Sequence, residues 1–151
     1  MIIIYTHLED YIFELLHSIG ITQADQLDMN HIAKLLGVKI SYKRKFYSIG
    51  NEIILSNGDV RDEWFSFAHE LKHVLIDKGN QLIMPKSFRE FQEWKADLFA
   101  YHFCVPTFML DDLPQLNTND ITRLFNVTHD VATRRLEMYE SKLYTRSLMP
   151  V

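Results

Sequence analysis

The segment His69-Glu70-Leu71-Lys72-His73 constrains this chain more than any other feature, because it places two histidines four residues apart with a glutamate after the first. On an α-helix, residues i and i+4 share one face and lie about 6 Å apart along the axis, so two imidazoles can bind one metal ion. Glu70 is rotated by about 100° from His69. It is therefore poorly placed to bind the same ion, but it can reach a water molecule held there.

The residues around this HExxH motif favour a helix. Apolar residues recur at the i, i+3, i+4 and i+7 positions of a helical stripe, and these are Trp64, Phe67, Ala68, Leu71, Val74 and Leu75. The opposite side carries Ser66, His69, Glu70, His73 and Asp77. The alternative is a surface helix that carries His-Glu and His by chance. A metal site is favoured because a third ligand follows downstream.

That third ligand is Glu93, which lies 20 residues after His73 (93 − 73) and is followed at i+4 by Asp97. A structural zinc site usually has four protein ligands, whereas three ligands and an open position are typical of a catalytic site. Asp97 is expected to accept a hydrogen bond from the second ring nitrogen of His69 or His73, which would fix that imidazole. The alternative for both acids is an ordinary solvated helix face.

The helix that carries Glu93 has its own signals. Ser87-x-x-Glu90 is a capping box, and Pro106 ends the helix after Val105. Cys104, the single cysteine, falls in an apolar part of this helix and is expected to be buried and unreactive.

These motifs resemble the ImmA/IrrE-type metallopeptidases, a gluzincin-like family. The resemblance rests on the HExxH motif, on Glu93-x-x-Ala96-Asp97-x-Phe99-Ala100 and on Val105-Pro106, and it extends over residues 28–140. Lys72 stands where the family usually has glycine.

The resemblance implies an intracellular zinc endopeptidase with one Zn²⁺ per chain, bound by His69, His73 and Glu93, and with Glu70 as the catalytic carboxylate. Several similar proteins are encoded by prophages or integrative elements and cleave the helix-turn-helix repressor of that element. The expected partner is therefore a protein substrate, such as a helix-turn-helix repressor. The alternative is an antirepressor that the metal stabilises and that docks on the repressor without cleaving it.

Composition sets further bounds. The chain has 151 residues and a net charge of −4, which argues against a nucleic-acid surface. The segment Met1–Tyr5 lacks the basic region of a signal peptide. No stretch approaches the roughly 20 apolar residues that span a bilayer. We therefore expect a cytoplasmic location.

The expected fold is α+β and mostly helical, a zincin-like minimal core in which a small three-stranded antiparallel sheet packs beside the HExxH helix. Predicted helices cover residues 6–19 and 28–36, with Asp28 as the cap of the second, and Asp59 caps the HExxH helix. Predicted strands cover 38–43, 45–49 and 52–56. Strand 52–56, or its neighbour, could pair with an extended substrate if it lies at a sheet edge.

Residues 1–117 are predicted to form the metallopeptidase core, and residues 118–151 a helical pair that packs on the core or docks a partner. This pair resembles half of a helix-turn-helix, and Arg123, Arg134 and Arg135 could contact phosphate, although the net charge has the wrong sign. The segment 78–86 is predicted to be a loop that forms either a flap over the cleft or a packed connection. Tyr101 and His102 are further candidates, which could contact the substrate or the oxyanion.

Overall fold

The computed structural model describes residues 5–45, 47–77 and 84–148. The described helices are α1 His7–Ser18, α2 Met29–Leu36, α3 Val60–Leu75, α4 Lys86–Cys104, α5 Thr107–Asp111, α6 Thr118–Phe125 and α7 His129–Ser147, with a 3-10 turn at Ala24–Gln26. The strands are β1 Lys39–Tyr42, β2 Tyr47–Ile49 and β3 Glu52–Leu55. The predicted α+β, mostly helical class is confirmed. The first residues of the predicted core, 1–4, the last of the predicted pair, 149–151, and residues 78–83 of the predicted loop lie outside the described residues.

The sheet is mixed, so the prediction of a purely antiparallel sheet is wrong for one of its two strand pairs. The strand order is β1-β3-β2, with β2 antiparallel and β1 parallel to β3. Strand β3 takes the centre because Ile53, Ile54 and Leu55 are almost fully buried, and a strand buried on both faces reads as a continuous apolar run. The segment 52–56 is therefore not an edge, whereas both of its neighbours, β1 and β2, are edge strands.

Two of the three predicted helix caps are confirmed. The side chains of Asp28 and Asp59 accept backbone N–H bonds at the starts of α2 and α3, and the Thr128 side chain does the same at the start of α7. Gly37 ends α2 at φ 70°, a left-handed conformation that glycine adopts without a Cβ clash. The predicted Ser87 capping box is wrong, because α4 already begins at Lys86 after Pro85 and has no side-chain cap.

Helices α3 and α4 form the centre of the core. Phe67, Leu71, Phe99 and Phe103 are fully buried in one apolar cluster. Cys104 is also fully buried, as predicted, and burial raises the pKa of its thiol well above the ordinary value. None of the described helices is long and apolar enough to cross a membrane.

The C-terminal pair packs on the rest of the fold through α7. Arg135 is 1% exposed, and its guanidinium donates to the Val105 carbonyl and the Thr107 hydroxyl, both at 2.8 Å. This arginine is therefore not available for phosphate. Arg123 and Arg134 are exposed, but each forms an ion pair with an acid on its own helix. The division at residue 117 stays a prediction, since both sides of it contribute to the same apolar cluster.

The buried side chain of Glu9 links α1 to α5 and α7 through hydrogen bonds. Its carboxylate accepts hydrogen bonds from the Thr6 backbone at 2.9 Å, from the Thr107 hydroxyl and from Lys142 Nζ at 2.7 Å. Burial alone would raise the pKa of Glu9. The hydrogen bonds from Lys142, Thr107 and Thr6 outweigh this effect and lower the pKa to about 2.

We expect Glu9→Gln to lower the free energy of unfolding at pH 7 by roughly 3 kcal/mol, because the depressed pKa of Glu9 favours the folded state. This contribution is complete above the unfolded pKa of 4.5 and is lost as the pH falls from there to about 2. Urea unfolding of both proteins between pH 7 and pH 2 should therefore give curves that converge in acid. Glu14→Gln, at an exposed site on the same helix, is the control. An equal loss in both variants would contradict the assignment.

Candidate metal centre

The packing of α3 against α4 brings the three predicted ligands together. His69 Nε2 lies 2.6 Å and His73 Nε2 lies 3.2 Å from Glu93 Oε2. One ligand atom from each of the three residues lies within 4.8 Å of the others. The histidine side chains are about nine-tenths buried, whereas the Glu93 side chain is 43% exposed, so the cluster opens to solvent on the α4 side.

The spacing of these atoms fits a small divalent cation. A tetrahedral ion with bonds of about 2.0–2.1 Å separates its donors by roughly 3.3 Å. The two distances to Glu93, 2.6 and 3.2 Å, differ from that value by less than an ångström. Two imidazole nitrogens and a carboxylate oxygen also form a donor set that suits zinc.

Two further carboxylates fix the outer nitrogens of the histidines. Asp97 Oδ1 lies 2.7 Å from His69 Nδ1, and Asp77 Oδ2 lies 2.8 Å from His73 Nδ1. A carboxylate on Nδ1 holds the proton there and leaves Nε2 free to bind a metal. The sequence left open whether Asp97 would hold His69 or His73, and the structure pairs it with His69. The role of Asp77 was not predicted, although its i+4 spacing from His73 is a usable signal.

Glu70 lies beside the ligand cluster, 5% exposed, and the Ser48 side chain of β2 lies next to its carboxylate. Burial raises the pKa of Glu70 above its ordinary value, against the lowering caused by charge on His69 and His73 and by the nearby Ser48 side chain. A raised pKa suits a carboxylate that takes up a proton near neutral pH. Ser48 carries no sequence signal, because its position depends on how the sheet packs on α3.

The charge state of Glu93 suits a ligand. Burial alone would raise the pKa of Glu93. Charge on His69 and His73 and hydrogen bonds with them outweigh this effect and hold the pKa below its ordinary value. The carboxylate is therefore ionised near neutral pH, as a metal ligand must be.

The two outside candidates lie in different surroundings. Tyr101 follows Asp97 by one helical turn and packs edge-on against Phe65 of α3, with ring centroids 5.0 Å apart. Its nearness to Asp97 along α4 keeps it a candidate for substrate contact. The structure does not bring His102 to the metal cluster, because its ring Nδ1 donates to the Leu98 carbonyl at 2.9 Å and the residue lines a cavity that Arg135 of α7 also lines.

Comparison with known proteins agrees with this geometry. Residues 24–137 match the peptidase family M78, described as an IrrE N-terminal-like domain. The chain is 40% identical over 148 residues to the phage-like element PBSX protein XkdA of Bacillus subtilis (strain 168), an alignment that covers 91% of this chain and 75% of that protein. It is 34% identical over 149 residues to the uncharacterized protein YqaB of the same organism, covering 91% of this chain and 87% of that protein. The chain therefore belongs to the ImmA/IrrE family of metallopeptidases.

Proposed function

We propose that this protein is a cytoplasmic zinc endopeptidase that cleaves a helix-turn-helix repressor encoded by a prophage or mobile element. The observation that supports enzymatic activity is the meeting of His69, His73 and Glu93, with the buried Glu70 beside them but outside the cluster. Three ligands with an adjacent carboxylate favour a catalytic metal over a structural one.

His69, His73 and Glu93 would hold one Zn²⁺, and Asp97 and Asp77 would keep the two imidazoles in the tautomer that binds it. A bound Zn²⁺ acidifies water and polarises a peptide carbonyl. Glu70 then acts as general base: its carboxylate takes a proton from the attacking water and later delivers it to the leaving amine.

The substrate backbone would lie along β2. This strand is at one edge of the sheet, and its Ser48 side chain lies next to Glu70. An edge strand offers backbone N–H and C=O groups to an extended peptide. A substrate strand paired there passes next to the general base. Tyr101, one helical turn after Asp97 on α4, is our candidate for a side-chain contact with the same peptide.

The choice of a repressor as substrate rests on the family and on one relative. The name of XkdA assigns that protein to a phage-like element, and proteins that resemble this chain cleave regulators of such elements. The net charge of −4 suits a basic DNA-binding protein as partner.

A cleavage assay tests the proposal. The zinc-loaded protein is incubated with the helix-turn-helix repressor encoded beside its gene, and the products are measured by intact mass spectrometry. We expect two complementary fragments whose masses sum to that of the repressor plus one water, and no fragments after treatment with a chelator. A repressor that stays intact with zinc-loaded protein, although it binds, would favour the docking alternative and overturn cleavage.

A further inference from the structure

We infer that Lys72 is a positioning residue, which fixes the carboxylate of Asp77 and thereby orients His73 for the metal. This inference rests on the metal binding in the proposed function, but it does not depend on peptide cleavage. Nothing in the HExxH pattern assigns a role to this lysine, because the position between Leu71 and His73 is variable in the motif.

Lys72 and Asp77 are joined twice. The Lys72 ammonium donates to Asp77 Oδ1 at 2.6 Å, and the Asp77 backbone N–H donates to the Lys72 carbonyl at 3.4 Å. The second carboxylate oxygen of Asp77 lies 2.8 Å from His73 Nδ1. Each oxygen of this carboxylate therefore has its own partner, and the plane of the group is set by the lysine on one side and the imidazole on the other.

This carboxylate needs a cation for electrostatic reasons. Asp77 lies just beyond the last residue of α3, Leu75, at the helix end where the macrodipole disfavours a negative charge. Its side chain is only 13% exposed, and a buried carboxylate is costly unless it is paired. The Lys72 side chain is 9% exposed and offsets both effects at short range.

The partner of the other histidine has no such requirement. Asp97 lies in the middle of α4, so the helix fixes its backbone, and its side chain is 55% exposed to solvent. Asp77 lies beyond the end of α3. Within the described residues, its backbone N–H forms one hydrogen bond, to the Lys72 carbonyl. The position of Asp77 therefore depends more on its hydrogen bond with Lys72 than the position of Asp97 would depend on a similar bond.

The test compares zinc affinity in the wild type and in variants of Lys72 and Asp77, measured on metal-free protein by competition with a fluorescent zinc chelator. Replacing an outer partner of a metal ligand typically costs 10–100-fold in metal affinity. We expect Lys72→Met to weaken zinc binding by about tenfold and Asp77→Ala by about 10–100-fold. The double variant should bind zinc no more weakly than Asp77→Ala, because Lys72 acts only through Asp77.

A conservative variant separates orientation from charge. Lys72→Gln keeps an N–H donor for Asp77 Oδ1 but removes the positive charge, and we expect it to recover much of the affinity lost in Lys72→Met. Two-bond ¹H–¹⁵N spectra of the zinc-loaded proteins should show His73 protonated at Nδ1 in the wild type and in Lys72→Gln, and a broadened or mixed state in Lys72→Met. Lys86→Met, at an exposed lysine paired with Glu90 on α4, is the control and should change neither readout.

The outcomes separate this inference from the proposed function. A wild-type protein that does not bind zinc contradicts the proposed function itself. Wild-type affinity in Lys72→Met, or losses that add in the double variant, overturn the role of Lys72 and leave the metal site standing. If Lys72→Met does not fold, the double variant, which buries no unpaired charge, decides by comparison with Asp77→Ala: equal zinc affinity supports the inference, and weaker binding in the double variant overturns it.

Discussion

Replacing Glu70 by glutamine is expected to lower the rate of peptide cleavage by roughly 10²–10⁴-fold, the usual contribution of a positioned general base. Glutamine has nearly the shape of glutamate, so it should keep the packing beside Ser48. It has no proton-accepting carboxylate, so the attacking water and the leaving amine lose their proton carrier. Because Glu70 is not one of the three clustered ligands, zinc content measured by elemental mass spectrometry should stay at the wild-type level.

The matched control is Glu63→Gln, the same change on the same helix two turns earlier, where the glutamate side chain contacts the backbone of Gly58. This control should cleave normally. A Glu70→Gln protein that cleaves at the wild-type rate would exclude Glu70 as general base. If that variant fails to cleave but still relieves repression fully, the protein acts by docking, and the metal has a structural role.

The meeting of His69, His73 and Glu93 could be predicted from sequence because it depends on local helical spacing. His69 and His73 are i and i+4 on one helix, and Glu93 and Asp97 are i and i+4 on the next. Two faces built in this way need only one helix–helix contact to meet, and the buried apolar residues of α3 and α4 provide it.

The partners of the histidines could not be assigned in the same way. Whether Asp97 would meet His69 or His73 depends on the relative offset of α3 and α4 along their axes, which no spacing within one helix specifies. Asp77 lies past the end of α3, where the backbone leaves helical geometry. Its contact with His73 therefore depends on how that helix ends.

Two other differences have simple geometric causes. The strand order places β3 in the centre through the parallel pairing of Lys39–Tyr42 with Glu52–Leu55, a contact between segments more than ten residues apart. Alternation within each strand carries no information about that pairing. His102 follows Asp97 by five residues, which is a rotation of about 140° around the helix. Tyr101, four residues after Asp97, is rotated by only about 40°. It therefore stays near the face of α4 that carries Asp97.

Replacing Glu93 by alanine is expected to remove zinc from the protein. The change leaves two of the three clustered ligands, and the loss of a direct ligand should exceed the roughly 10–100-fold loss caused by changing an outer partner. Zinc binding at 1,000 times the dissociation constant stabilises a folded protein by about 4 kcal/mol. Added zinc should therefore raise the unfolding temperature of the wild type but not that of Glu93→Ala.

Because Glu93 is partly exposed, its removal should leave the fold intact, which circular dichroism checks. Glu90→Ala is the control, since Glu90 lies on the same helix with a side chain that is 66% exposed and pairs with Lys86. That variant should keep both its zinc and its zinc-dependent rise in unfolding temperature. A Glu93→Ala protein that binds zinc as tightly as the wild type would mean that the ion is held by other residues, and the assignment of Glu70 as its neighbouring base would then lose its basis.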